Sequence, residues 1–318
     1  MEHRALGRSG VDVSRIILGC GNFGGIGSSP AFFGAGETEG EAHALLDAAW
    51  EAGITAYDTA DAYGGGRSES YLGSWLRLQG PDVRERIVLT TKTFNPMSEG
   101  ADSGLAPERI RRQLDTSLER LGVGHIDLYL PHAMDDDTPV AETIGAFEQL
   151  VAEGSIRAYG GSNVDADWLE EALRHGRPAW LQNSHSLLER EDETGVLPVV
   201  AREGLGYTPF SPLAGGWLTG KYRRDEEPPA GSRMTLRPEP YRHLEDGRVY
   251  DALEGFEAIA QERGTTPAAL AIAWLLGHPH VTAVVIGPRR PEQLRPALEA
   301  LQLDLSPPEH EQLAALFA

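Results

Sequence analysis

Sulfur is nearly absent from this chain: Cys20 is the single cysteine among 318 residues. No intrachain disulfide can form, which points to a reducing compartment. Long apolar runs are missing as well, and none approaches the roughly 18 residues that a membrane helix needs. The opening MEHRALGRSGVDV is charged and carries no apolar leader segment. The expectations are a cytoplasmic protein with no membrane partner. Positive charge is scarce too, with 28 Lys and Arg against 48 Asp and Glu, a formal net charge of −20 and a pI near 4.9. Such a surface repels nucleic acid and anionic membranes. It still permits a small anionic ligand, because a local arginine cluster can oppose the global field.

What is present is an alternation. Eight short apolar runs recur: RIILGC, GITAYDT, IVLTTK, IDLYLPH, IRAYGGS, WLQNSH, LGYTPFS and VTAVVIG. Helical patterns separate most of them. TEGEAHALLDAAWEAG opens with the Thr38/Glu41 capping-box spacing and closes on Gly53, and PERIRRQLDTSLERLG runs from Pro107 to Gly122. Strand then helix, repeated eight times, predicts a parallel sheet. Eight units on a chain of this length fit a single (β/α)8 (TIM) barrel domain over residues 1–318 better than an open doubly wound sheet. Residues 3–15 read as an N-terminal β-hairpin. Residues 214–245, rich in Pro, Gly and charge, read as a long functional loop after strand seven.

One local pattern argues for the open sheet. GCGNFG spells Gly19-x-Gly21-x-x-Gly24, the spacing of a dinucleotide fingerprint. That fingerprint requires a helix starting inside it, facing the pyrophosphate. Here GIGSSPAFFGAG follows, and the first credible helix begins near Thr38. The segment reads instead as a flexible first loop, with Phe32 and Phe33 as apolar residues able to overhang a pocket.

In a (β/α)8 barrel, chemistry sits at the C-terminal strand ends. Those ends carry Asp58, Lys92 and His132, then Ser162 and Asn163, then Gln182, and Tyr63 lies five residues beyond Asp58. Taken singly, each has an ordinary reading as a cap, a surface charge or a packing residue. Placed together on one rim they make a proton relay. Tyrosine is a reluctant acid with a free pKa near 10. A neighbouring ammonium stabilises the phenolate and is expected to lower that value. An aspartate keeps the lysine charged, and a histidine orients the reacting oxygen. This is the acid half of a hydride transfer, and the hydride must come from a cofactor because no side chain carries one. Arg289 and Arg290 precede Pro291 at a helix start, where two cations oppose the helix dipole. Either a bound phosphate resolves that conflict or the exposed arginines tolerate a small penalty.

GRSGVDVSRIILGCGNFGG, YDTADAYGGGRSE, LTTK, IDLYLPH, GGSN, LQNSHSLLER, FSPLAGGWLTGKY and GPRRPEQL together resemble the aldo-keto reductase family, in order and spacing, over essentially the whole chain. The resemblance is to the bacterial branch that includes sugar-ketone reductases and relatives of potassium-channel β subunits. It implies reduction of an aldehyde or ketone, keto-sugars among them, with Asp58, Tyr63, Lys92 and His132 as catalytic tetrad and Tyr63 as acid. It implies NADPH across the barrel mouth, with Ser162, Asn163 and Gln182 on the carboxamide and Gly21, Asn22 and Asp58 also among the cofactor contacts. Phe210, Ser211, Pro212, Leu213, Gly215 and Lys221 would cover the pyrophosphate, and Gly287, Arg289 and Gln293 the adenosine end. No metal is implied. His185 stands where the family stacks a tyrosine on the nicotinamide, so its protonation near pH 6–7 would perturb cofactor binding. Ala297 stands where an asparagine meets the adenine, removing one polar contact.

Two other readings stay open. One keeps the fold and cofactor but makes the chain a redox-sensing subunit with little turnover. The other uses Lys92 as a Schiff-base nucleophile, which needs a depressed lysine pKa that a neighbouring Asp58 would oppose. Substrate identity rests with residues 22–37, the AMDDD stretch holding Met134 and Asp135–Asp137, and residues 222–245. Oligomeric state is not encoded legibly.

Overall fold

The computed structural model describes residues 1–318. Its first element is the expected hairpin, β1 (His3–Ala5) antiparallel to β2 (Asp12–Ser14). Then come the barrel strands: β3 (Ile16–Gly19), β4 (Ala56–Asp58), β5 (Val88–Thr93), β6 (Ile126–Pro131), β7 (Ile156–Tyr159), β8 (Gly161–Ser162), β9 (Trp180–Gln182), β10 (Gly206–Tyr207) and β11 (Val284–Ile286). All pair in parallel, as a six-stranded sheet β11-β3-β4-β5-β6-β7 and a three-stranded sheet β10-β9-β8. β7 and β8 are one strand interrupted at Gly160, so the ring has the eight positions read from the sequence.

The other seam lies between β10 and β11. Thr282 N–H donates to the Tyr207 carbonyl at 2.8 Å and Val285 N–H to the Pro209 carbonyl at 2.9 Å. Proline has no N–H to return, so the ladder there stays sparse.

Strand parity sorts the side chains. Ile16, Leu18, Tyr57, Leu89, Tyr129 and Tyr159 face outward into the large cluster under the helices. Ile17, Ala56, Val88, Leu128, Leu130, Ala158, Trp180 and Val285 face inward, in a separate cluster that also takes Leu6, Val11 and Val13 of the hairpin. The hairpin therefore plugs the N-terminal end of the barrel. Gly7 allows this: at φ +51°, a Cβ there would lie 2.2 Å from the Gly206 nitrogen. Two or four residues past the inward apolar layer, the same parity presents Asp58, Lys92, His132, Ser162 and Gln182 at the opposite mouth.

The first long helix is Glu39–Glu51, capped reciprocally by Thr38 and Glu41. Nothing helical longer than Pro30–Phe32 intervenes after Gly19, so the Gly19-Gly21-Gly24 spacing is a loop. Residues 214–245 are more ordered than a loop, with turns of 3-10 helix at Ala214–Thr219 and Glu239–Leu244 and a short helix at Arg233–Leu236. Trp217, Leu218, Tyr222, Met234 and Leu244 bury themselves in the outer cluster and hold the segment down. No helix is long and apolar enough to cross a membrane.

Candidate active site

Asp58 ends β4 and Lys92 lies near the end of β5, and their side chains meet inside the barrel. Lys92 Nζ donates to Asp58 Oδ1 at 2.5 Å, to the Thr59 carbonyl at 2.9 Å and to the Tyr63 hydroxyl at 3.4 Å. All three ammonium hydrogens are thereby assigned. Gln182 Nε2 donates to the other Asp58 oxygen at 2.8 Å. His132 Nε2 lies 3.4 Å from the Tyr63 hydroxyl, with the two rings edge to face. The phenol oxygen thus sits between an ammonium and an imidazole.

Burial drives the titration of this group. It would push the Lys92 ammonium down, but Asp58 and Tyr63 together outweigh it, and the net shift is upward. A lysine held charged with every hydrogen engaged has no lone pair for Schiff-base chemistry. Burial raises the Tyr63 pKa, and Lys92 only partly offsets this. That corrects the expected lowering: the phenol is a protonated acid at neutral pH, and Lys92 acts to ease loss of its proton. Burial, then Lys92, hold His132 well below the ordinary histidine value, so the ring is neutral.

The glycines after Tyr63 have a concrete role. Gly64 sits at φ +59°, where a Cβ would lie 2.5 Å from the Phe23 carbonyl oxygen. The first loop packs directly on this turn, and Gly21 lies against the Tyr63 ring. Arg67 donates to the Gly64 carbonyl at 2.7 Å, and buried Glu69 accepts from Thr91 Oγ1 and Arg120. Both anchor the loop. Asp135 likewise pins backbone, accepting from the Leu105 and Asp137 N–H groups, whereas Met134 is exposed.

Around the mouth, Ser162 is buried and Asn163 is exposed in the left-handed region at φ 53°, its amide donating to the His132 carbonyl at 2.8 Å. Phe210 packs on the inward cluster. Ser211, also left-handed, meets the Tyr241 hydroxyl at 3.3 Å, and a Cβ at Gly215 would strike that tyrosine ring. Pro212 is buried, Leu213 packs on the outer cluster, and the Lys221 ammonium lies over the Tyr222 ring. Gly287 faces open space, and the Gln293 side chain accepts from the Arg289 N–H. Ala297 is buried in the outer cluster.

Arg289 Nε donates to Glu37 at 2.5 Å, and the second Glu37 oxygen is buried without a partner. Arg233 reaches Asn22 and Arg237 reaches the Ile26 carbonyl, each at 3.4 Å, so the 214–245 segment is tied across to the first loop. Glu37, Arg233 and Arg237 carry no signal in the linear sequence, since each acts only through a loop-to-loop contact.

His185 is a correction. It is fully buried and faces the helix layer, against Tyr207, Trp274 and His278, so no nicotinamide can stack on it. Parity gives the reason: it follows inward Gln182 by three residues, an odd step. The aromatic ring that does reach the interior near this rim is Phe210. Burial also lowers the His185 pKa to about 4, outweighing Glu193, so the ring does not titrate near pH 6–7. The consequence is for stability. An unfolded histidine takes up its proton near 6.5, the folded one near 4, so acid favours unfolding between those values. The stabilisation is complete above the upper value and is lost as pH falls toward the lower, about 3 kcal/mol in all. Urea midpoints should drop on acidification from about pH 7 to about pH 5. His185→Phe should flatten that slope in part, because His278 is depressed by burial in the same way. An unaltered slope would remove the assignment.

An inward Asp, Tyr, Lys and His at the C-terminal mouth of an eight-position parallel barrel is the arrangement of a barrel oxidoreductase. A family model described as "Aldo/keto reductase family" matches residues 15–318, and the chain belongs to that family. It is similar to "Uncharacterized oxidoreductase YrpG" of Bacillus subtilis (strain 168), at 38% identity over 96% of this chain and 92% of that one. It is 32% identical to "NADH-specific methylglyoxal reductase" of Escherichia coli (strain K12), over 96% and 95%. It is 34% identical to "Probable voltage-gated potassium channel subunit beta" of Oryza sativa subsp. japonica, over 95% and 92%.

Proposed function

We propose that the protein reduces an aldehyde or ketone, keto-sugars among the candidates, to the alcohol, with NADPH as cofactor and Tyr63 as proton donor. The observation that carries this reading is the Tyr63 hydroxyl set 3.4 Å from both the Lys92 ammonium and the His132 ring at a barrel mouth.

The residues present fit a dinucleotide. Arg233, Arg237 and Arg289 bring cations onto the first loop, and the Lys221 ammonium lies over the Tyr222 ring, in a chain whose net charge is −20. Gly287 leaves open space, and Arg289 uses only its Nε on Glu37, leaving the rest of the guanidinium for a phosphate. Ser162, Asn163, Gln182 and Phe210 would hold the nicotinamide end, with Gly21 and Asn22 beside them. Ser211, Pro212, Leu213, Gly215 and Lys221 would cover the pyrophosphate, and Gly287, Arg289 and Gln293 the adenosine. When bound, the reduced nicotinamide supplies a hydride. Tyr63 gives its proton to the carbonyl oxygen, Lys92 stabilises the phenolate left behind, and Asp58 keeps Lys92 charged and aimed. Neutral His132 orients the oxygen.

A panel of aldehydes, ketones and keto-sugars, followed by oxidation of NADPH and of NADH, tests this reading. Arg289→Leu is expected to weaken NADPH binding by about tenfold, the loss of a charge-assisted contact, with NADH nearly unaffected. Equal loss for both nucleotides would take the 2′-phosphate away from Arg289. Both must be measured, because Glu37 sets a carboxylate beside that arginine and one relative is named for NADH.

The second reading, a redox-sensing subunit of the same fold, is favoured by the arginine ties from the 214–245 segment to the first loop, which would slow nucleotide exchange. A single fast turnover followed by slow nucleotide release, with a co-purifying partner, would mark it.

A further inference from the structure

We propose that Asn95 is a positioning residue that fixes the tautomer of His132, so that Nε2 carries the ring proton and meets the reacting oxygen. The catalytic consequence rests on the carbonyl-reduction reading above, whereas the tautomer itself does not. Asn95 Nδ2 lies 3.1 Å from His132 Nδ1. An amide nitrogen only donates, so Nδ1 accepts, and a neutral imidazole then has its one N–H on Nε2. That nitrogen is the one 3.4 Å from the Tyr63 hydroxyl.

Only this tautomer leaves the Tyr63 hydrogen free for a substrate. The phenol oxygen accepts from Lys92 Nζ and from His132 Nε2, and its own hydrogen stays free for a carbonyl oxygen. With the other tautomer, the Nε2 lone pair would face the phenol and draw its hydrogen in the ground state. A substrate oxygen would then meet a lone pair on the ring.

Asn95 is held in place to do this. Pro96 disfavours helical backbone at Asn95. Buried Arg109, from the helix Pro107–Leu121, donates to the Asn95 carbonyl at 2.8 Å, to Thr93 Oγ1 at 2.9 Å and to the Gly104 carbonyl at 3.0 Å. His132 is fixed from the other side, its N–H on the Thr93 carbonyl at 2.9 Å and its carbonyl on Asn163. The titratable groups facing the ring are Tyr63 and Lys92, and Asn95 itself is neutral.

The test is the long-range proton–nitrogen NMR spectrum of the 15N-histidine-labelled full chain, with the His132 signal identified by its absence in His132→Asn. The wild type should show the Nε2–H form. Asn95→Leu should lose that single form, and its kcat should fall at least tenfold, with nucleotide Kd unchanged. Asn95→Asp, close in size, should shift the ring to Nδ1–H or to the doubly protonated form, because a carboxylate there accepts. Should Asn95→Leu misfold, Asn95→Asp decides alone. A wild-type Nδ1–H form, or variants that keep the wild-type spectrum, would overturn the proposal. If the wild type shows Nε2–H and the variants lose it but no carbonyl is reduced, the tautomer assignment stands and the functional reading fails.

Discussion

Replacing Tyr63 with phenylalanine is expected to cut carbonyl reduction by about a hundredfold to ten-thousandfold, the range a positioned general acid contributes. Nucleotide binding should stay within about twofold, since only a phenol oxygen is lost. The ring itself packs against Gly21, meets the edge of His132 at 5.3 Å between centroids and lies under the Lys92 ammonium at 5.0 Å. Phenylalanine keeps each of those contacts. Steady-state kcat with each nucleotide, alongside a fluorescence titration of binding, separates the two effects. A variant that keeps more than about half of its turnover would mean that another group or water delivers the proton.

Asp58→Asn should damage the fold as well as the chemistry. Lys92 and Asp58 are a fully buried ion pair, with side chains 1% and 4% exposed. Removing one charge of such a pair leaves the other desolvated and uncompensated, at a cost of about 3–5 kcal/mol. The variant should therefore unfold at markedly lower denaturant. Its pH dependence should also change sign. In the wild type the Lys92 pKa is raised, so the pair's contribution is full below the unfolded lysine value and is lost as pH climbs through the folded one. In the variant, burial acts without Asp58 and the folded pKa drops below the unfolded value. Stability should then improve as pH rises toward about 10. In urea melts between neutral pH and about 10 this lysine should leave the wild type level while the variant gains stability, the wild-type loss coming only above that range. Parallel slopes would mean that Lys92 is not held by Asp58.

Much of this was legible before the structure. The eight apolar runs are well punctuated, and each became a ring position because short parallel strands buried on both faces leave few alternatives. Asp58, Lys92 and His132 end their strands with inward parity, so their convergence could be read from spacing. Tyr63 could be placed on the same rim, but the direction of its pKa could not, because that depends on how completely burial outweighs one ammonium. His185 shows the opposite failure. Motif order put it at the cofactor, while counting an odd step from Gln182 puts it in the helix layer. Asn95, Glu37 and Arg233 were not legible at all, since each acts across a loop closure that the linear chain does not announce.

The most direct measurement of the central claim uses a reduced nicotinamide nucleotide deuterated at the transferred position. Wild-type protein and a carbonyl substrate from the panel should give an alcohol bearing deuterium on the former carbonyl carbon, with no adduct on Lys92 after borohydride treatment. An alcohol without that deuterium, or a trapped Lys92 adduct, would contradict it.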